Sequence, residues 1–118
     1  MRIDKVNELM KREISNMILM GEIKDPRLSF VTITQVEVSK DLRHARVSFS
    51  VLTNNPKEIK SVQDGLDSAR GHVRKLVGQR IRIRFTPEVY FVHDRSLEYS
   101  DLVDRTLTEI KKQESRDE

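Results

Sequence analysis

The sequence has no cysteine among its 118 residues, only three prolines and four glycines, and few aromatic rings: two tyrosines, four phenylalanines and no tryptophan. Without cysteine there is no disulfide framework, no thiolate metal site and no cysteine nucleophile, so a reducing compartment such as the cytoplasm is the natural setting. Long apolar runs are missing too. The opening "MRIDKVNELMKREIS" lacks the uninterrupted apolar stretch of a signal peptide. No stretch approaches the roughly 20 apolar residues of a membrane-spanning helix. A soluble, cytoplasmic, single-domain protein is therefore expected, long enough to bury a modest core without metal or disulfide staples.

Charge is abundant and unevenly placed. Twenty-two basic residues face nineteen acidic ones, a formal net charge of +3 that alone says little about a polyanionic partner. From Ser68 to Pro87, however, six basic residues (Arg70, Arg74, Lys75, Arg80, Arg82 and Arg84) occur with no acid, whereas from Glu98 onward seven acids stand against four bases. Such segregation suggests a basic working surface and an acidic tail that stays clear of it, although a merely solvated basic face gives the same pattern.

The apolar periods place these charges on elements. Ile3, Val6, Met10, Ile14, Met17 and Ile18 recur at helical spacing, Glu8 stands four residues before Arg12, and Gly21 offers a C-terminal stop. Asp25-Pro26 marks a turn. Val31 and Ile33 alternate, and Val36 and Val38 continue one residue out of step, which predicts a strand with a bulge near Thr34 or Gln35. Ala45, Val47, Phe49 and Val51 then alternate against His44, Arg46, Ser48 and Ser50 in a second strand, and the short "SKDL" link suits an antiparallel hairpin.

After "TNNP" the period turns helical. Asn55 is placed to cap, Pro56 suits the first helical position, and Glu58 approximates a capping box. Ile59, Val62, Leu66, Ala69, Val73 and Leu76 form the stripe, and Gly78 marks an end. Gly71 interrupts this run within "LDSARGHVRKL", where glycine is about 1 kcal/mol less favourable than alanine. It lets a neighbouring backbone approach or bends the chain between two shorter helices; the bend is the favoured reading, under which Gly71→Ala destabilises the fold or misplaces Arg74 and Lys75 relative to Arg70. "QRIRIRF" fits either a strand, with Ile81, Ile83 and Phe85 inward, or a helix tail and connector. "PEVYFVHD" is a firmer strand with Pro87 at its start, and "YSDLVDRTLTEIKKQ" predicts an appended last helix before a disordered end.

Catalytic signatures are absent. His44, His72 and His93 are far apart and form no HxxxH pair, and there is no P-loop or nucleophile motif. His93 and Asp94 are adjacent, but neighbours on a strand point to opposite faces. With Phe49 and Phe85 both on inferred core faces, a platform for stacking bases is not expected. Arg70, Arg74 and Lys75 are the leading phosphate-binding candidates, Arg80, Arg82 and Arg84 extend the patch if "RIRIR" is extended, and Lys24, Arg27, Arg43 and Arg46 are weaker ones.

The order helix, strand, strand, helix, joint, helix, strand resembles a type II KH domain, an α+β fold with a three-stranded sheet, here with an appended C-terminal helix. KH domains clamp nucleic acid at a GxxG loop between two helices. Here Ala69-Arg70-Gly71 stands at the joint instead, and with "IKDPRLSFVTIT", "SKDLRHARV" and "PEVYFVHD" it resembles the bacterial ribosome-binding factor A family. The resemblance implies a KH-like RNA-binding domain over residues 1–97, a C-terminal helix over 98–112 and a disordered tail over 113–118. It further implies a monomeric, non-enzymatic factor without cofactor, metal or small-molecule substrate. Such a factor binds 16S rRNA within the free 30S small ribosomal subunit, assists late maturation and 5′-end processing of that rRNA, and serves growth in the cold. The departure from GxxG argues for recognition of shape and phosphate over clamping of specific bases. A basic protein-interaction module that meets an acidic protein is the competing reading.

Overall fold

Two helices cover one face of a three-stranded sheet in the computed structural model, which describes residues 2–95. The expected helix over 98–112 and tail over 113–118 lie outside the described residues. The elements run α1 (Ile3–Leu19), a 3-10 turn (Pro26–Leu28), β1 (Val31–Val38), β2 (His44–Val51), α2 (Pro56–Arg80) and β3 (Glu88–His93). The sheet order is β1-β2-β3, with β1 antiparallel and β3 parallel to the central β2. This is the α+β, KH-like architecture that the element order implies.

Each inward position follows from its period. Val6, Met10, Ile14 and Met17 of α1 and Leu66, Ala69, Val73 and Val77 of α2 close over Val36, Val38, Ala45, Val47, Phe49, Val89 and Phe91 from the sheet, with Phe49 wholly buried. α1 packs chiefly on β1 and α2 on β3. The expected bulge lies between Ile33 and Gln35, where the pairing with β2 shifts by one residue, so that Ile33 and Val36 both turn inward. Gly21 ends α1 with φ +69°, its N–H bonded to the Ile18 carbonyl and the Glu22 N–H to that of Met17, a reversal that a β-carbon disfavours.

Three local expectations are corrected. The Glu8–Arg12 pair does not form. Asn55 caps α2 by accepting from the Lys57 N–H, but Glu58 accepts from the Thr53 hydroxyl, so no reciprocal capping box closes. α2 also continues two residues past Gly78.

Larger corrections concern Gly71 and Phe85. α2 is one continuous helix of 25 residues through Ala69, Arg70 and Gly71, not two helices about a joint, because core residues on both sides of Gly71 seat it on the same sheet. A β-carbon built at Gly71 meets nothing within 4 Å, whereas one at Gly65 comes within 3.1 Å of the Asp25 carboxylate and one at Gly78 within 2.9 Å of the Thr86 hydroxyl. Close approach thus explains Gly65 and Gly78 but not Gly71. "QRIRIRF" takes the second of its two readings, a helix tail and connector: Arg80 is the last helical residue, and Ile81 to Pro87 form an irregular connector. Ile81 and Pro87 are its buried anchors, the strict alternation is lost between them, and Phe85 comes out 39% exposed.

Both outer strands have an unpaired side that the helices seal. α2 lies along β3 so that Gln63 Nε2 donates to the Phe91 carbonyl at 2.8 Å, Arg70 Nε to that of Val89 at 2.6 Å, and Arg74 to that of Thr86 at 3.2 Å. Positions 63, 70 and 74 share one flank of the apolar stripe, so a single face of α2 caps two carbonyls of β3 and one of the connector before it. At the other edge, Asn7 of α1 accepts from the Val38 N–H at 2.8 Å. Uncovered edges invite pairing with other chains.

Substitutions along α2 test this packing. Gly71→Ala should stabilise by up to about 1 kcal/mol, with Gly78→Ala falling clearly below it because its β-carbon crowds Thr86. Equal urea midpoints for the two variants would contradict the close approach at Gly78. Arg70→Ala should lose roughly 1–2 kcal/mol through its bond to the Val89 carbonyl and its contact with Tyr90, while Lys75→Ala stays within about 0.5 kcal/mol. Matching losses at the two positions would show that Arg70 is not an edge seal.

Candidate nucleic-acid interface

The structure divides the basic candidates into committed and uncommitted groups. Arg70 and Arg74 reach back over the edge of β3, Arg70 with its guanidinium 4.6 Å from the Tyr90 ring centroid and Arg74 also 3.5 Å from the Glu88 carboxylate. Arg80 turns the other way, toward Glu13 at 3.8 Å and Glu22 of the α1 side. The hydrogen bond to Glu22 keeps the Arg80 guanidinium protonated even more firmly than usual.

The weaker candidates divide similarly. Arg27 grips Asp25 at 2.7 Å, and its side-chain and backbone bonds hold the Asp25 carboxyl below the usual carboxylate range. That pair sits where Gly65 lets the 3-10 turn approach α2. Arg46 pairs with Glu37 across β1 and β2 at 2.8 Å. Among the described residues Arg43 forms no ion pair, though its charge acts on nearby Asp41; its guanidinium lies over the Phe85 ring at 4.9 Å.

Among the described residues Lys24, Lys75 and Arg82 are exposed and form no ion pair, and Arg84 stands against Phe85, at 5.3 Å. Ala69 is buried and faces the core, while Gly71 and Lys75, four residues apart, share the outer face of α2. The expected patch is thus not one continuous surface. Lys75 lies on outer α2, Arg82 and Arg84 on the connector, and Arg43 beside them at the β1–β2 turn, where the Glu88 N–H bonds the Arg43 carbonyl at 2.8 Å. Residues that sequence reasoning missed are Phe85 and Tyr90, both exposed and both against guanidinium groups. For Tyr90 the signal was there, since strand alternation from buried Val89 puts it outward.

Among the described residues no group of three or more histidine or acidic side chains is placed to hold a metal ion, and no helix is long and apolar enough to cross a membrane. His93 lies against Phe49 with ring centroids 5.5 Å apart, and Asp94 accepts from the Thr34 hydroxyl at 2.8 Å.

An apolar end balances this cationic one. Phe30 and Leu52, 77% and 60% exposed, line a groove with Val51, Thr53 and Val62 where β1 begins and β2 ends, opposite the Arg43–Phe85 end of the sheet.

Comparison with known proteins places the chain. A family model described as ribosome-binding factor A matches residues 2–107. Ribosome-binding factor A of Halothermothrix orenii is 45% identical over 98% of this chain and 93% of its own length, and that of Caldanaerobacter subterraneus is 44% identical over 98% and 94%. Among solved structures, a putative ribosome-binding factor A of Thermotoga maritima is similar at a TM-score of 0.61 and 33% identity, covering 78% of this chain and 90% of that one. The Thermus thermophilus factor, as fitted into a cryo-EM map of a 30S complex, shares the fold at a TM-score of 0.62 and 23% identity over 77% of this chain and 93% of its own. With a family model spanning most of its length and relatives this similar across nearly all of it, the chain belongs to the ribosome-binding factor A family.

Proposed function

We propose that this protein binds the free 30S small ribosomal subunit through its 16S rRNA and assists late maturation of that rRNA, including processing at the 5′ end, with its importance greatest in the cold. It acts as a cytoplasmic monomer and as a binding factor, with no catalytic step, cofactor or small-molecule substrate of its own. The observation that carries this reading is the family match over nearly the whole chain, joined to a surface on which Lys75, Arg82, Arg84 and Arg43 form no ion pair among the described residues. Uncommitted cations release counterions when phosphate replaces solvent, which favours a polyanion. The Thermus factor's place in a 30S complex agrees with it.

Arg70 and Arg74 belong to this surface in a second sense. Both keep part of the guanidinium at the α2–β3 border, where phosphate approaching Lys75 and Gly71 passes them. Arg80, Lys24, Arg27 and Arg46 stand at its margins. A protein contact other than the expected meeting of the basic face with an acidic protein draws on a different observation, the exposed Phe30 and Leu52 at the far end, which suit a contact with a protein in place of RNA.

Co-sedimentation separates the two. Binding should persist on 16S rRNA stripped of ribosomal proteins and weaken steeply with salt. Lys75→Ala with Arg82→Ala should lower the salt slope by about one unit for each cation that no longer meets a phosphate. Binding that vanishes with the ribosomal proteins, or ignores salt, would favour the protein partner. Cells depleted of the protein should accumulate 16S rRNA with unprocessed 5′ ends, most strongly at low temperature; mature ends in such cells would remove the processing role.

A further inference from the structure

Two of the exposed rings have the same kind of neighbour. Phe85 is 39% exposed and carries Arg43 and Arg84 at 4.9 and 5.3 Å from its centroid, while Tyr90 is 41% exposed with Arg70 at 4.6 Å and the His44 ring tilted 40° at 5.8 Å. They are joined through the backbone, because His44 follows Arg43, pairs with Glu88 at the start of β3, and lies against Tyr90 two residues further on.

Single exposed rings are ordinary on protein surfaces. These differ in what surrounds them. Arg27, Arg46, Arg74 and Arg80 all form ion pairs with carboxylates, but among the described residues Arg43 and Arg84 form none and converge on one ring, so two positive charges stand close together, with Asp41, which accepts from the Arg43 backbone N–H, as the acid that feels the Arg43 charge. Two guanidinium groups drawn to one aromatic ring can turn N–H groups toward a phosphate. Planar rings and guanidinium planes also stack on nucleobases, provided those bases are not already stacked in a duplex.

We propose that Phe85 and Tyr90, with Arg43 and Arg84, form a site for single-stranded RNA that takes unstacked bases on the rings and guanidinium planes and a linking phosphate on the two arginines. The site rests on the rRNA-binding reading and gives it a substrate class: an unpaired segment, read by stacking and tolerant of sequence. It replaces the expectation that no stacking platform exists, which depended on Phe85 being buried.

The test uses the full chain and a labelled ten-nucleotide single strand of RNA, measured by fluorescence anisotropy against a duplex of the same composition. Wild type should prefer the single strand. Phe85→Leu and Tyr90→Leu, which keep apolar bulk but remove the ring, should each weaken single-strand binding by roughly tenfold with the salt slope unchanged. Arg43→Ala with Arg84→Ala should instead flatten the slope by about 0.7 for each phosphate neutralised by the pair. Phe85→Tyr should retain binding, and equal melting temperatures keep folding out of the comparison. Equal affinity for single strand and duplex, or leucine variants that bind like wild type, would overturn the site. If wild type meanwhile co-sediments with small subunits, the broader reading survives that loss; if it binds neither the oligonucleotide nor stripped rRNA, both fall. Leucine variants that lose only binding dependent on ribosomal proteins would assign the rings to a protein contact and defeat the proposal.

Discussion

The outer carbonyls of β3 decide more of this molecule than their number suggests. Among the described residues no strand pairs with the far side of β3, and buried or half-buried carbonyls need donors. α2 supplies two of them from Gln63 and Arg70, and Arg74 bonds the Thr86 carbonyl just before the strand, while the adjacent stripe of Leu66, Ala69, Val73 and Val77 fills the core. The helix is thereby fixed in rotation and in height against the sheet. Two of the most basic positions in the sequence are fixed with it.

Acids divert other cations. Asp25 holds Arg27 at the 3-10 turn, and Glu13 with Glu22 holds Arg80, tying the end of α2 to the α1 side of the molecule. Exposed pairs of this kind add little stability singly, but they set where unbalanced positive charge remains. That remainder lies on outer α2, along the connector and at the β1–β2 turn. A formal excess of +3 is thus a poor measure of what a polyanion would meet.

Much of this was legible from periodicity. The strands, the bulge beside Thr34, the Asn55 cap and the Gly21 stop are local features, each encoded within a few residues. The continuity of α2 was not, because a propensity argument weighs Gly71 alone while the helix is held by core contacts on both sides of it. Phe85 was misread for a related reason: alternation predicts burial only where a strand exists, and the connector between Ile81 and Pro87 has none. The split of the arginines depends on carbonyls and carboxylates that are up to 58 residues away in the chain, as Glu22 is from Arg80. No local pattern encodes such partners. The RNA-facing candidates were therefore legible as a population of charges and not as a surface.

The strand order carries a consequence for how the chain is made. β1 and β2 meet through a short turn and can pair early, but β2 gains its second neighbour only after the whole of α2 has been added. A nascent chain that ends before Glu88 has Ala45, Val47 and Phe49 without the full cover of α2 and β3, and the inner edge of β2 open to any extended peptide. Non-local pairing of this sort slows folding and leaves sticky intermediates exposed during synthesis. The last strand of the sheet thus sets the moment at which a newly made copy stops being a hazard to its neighbours.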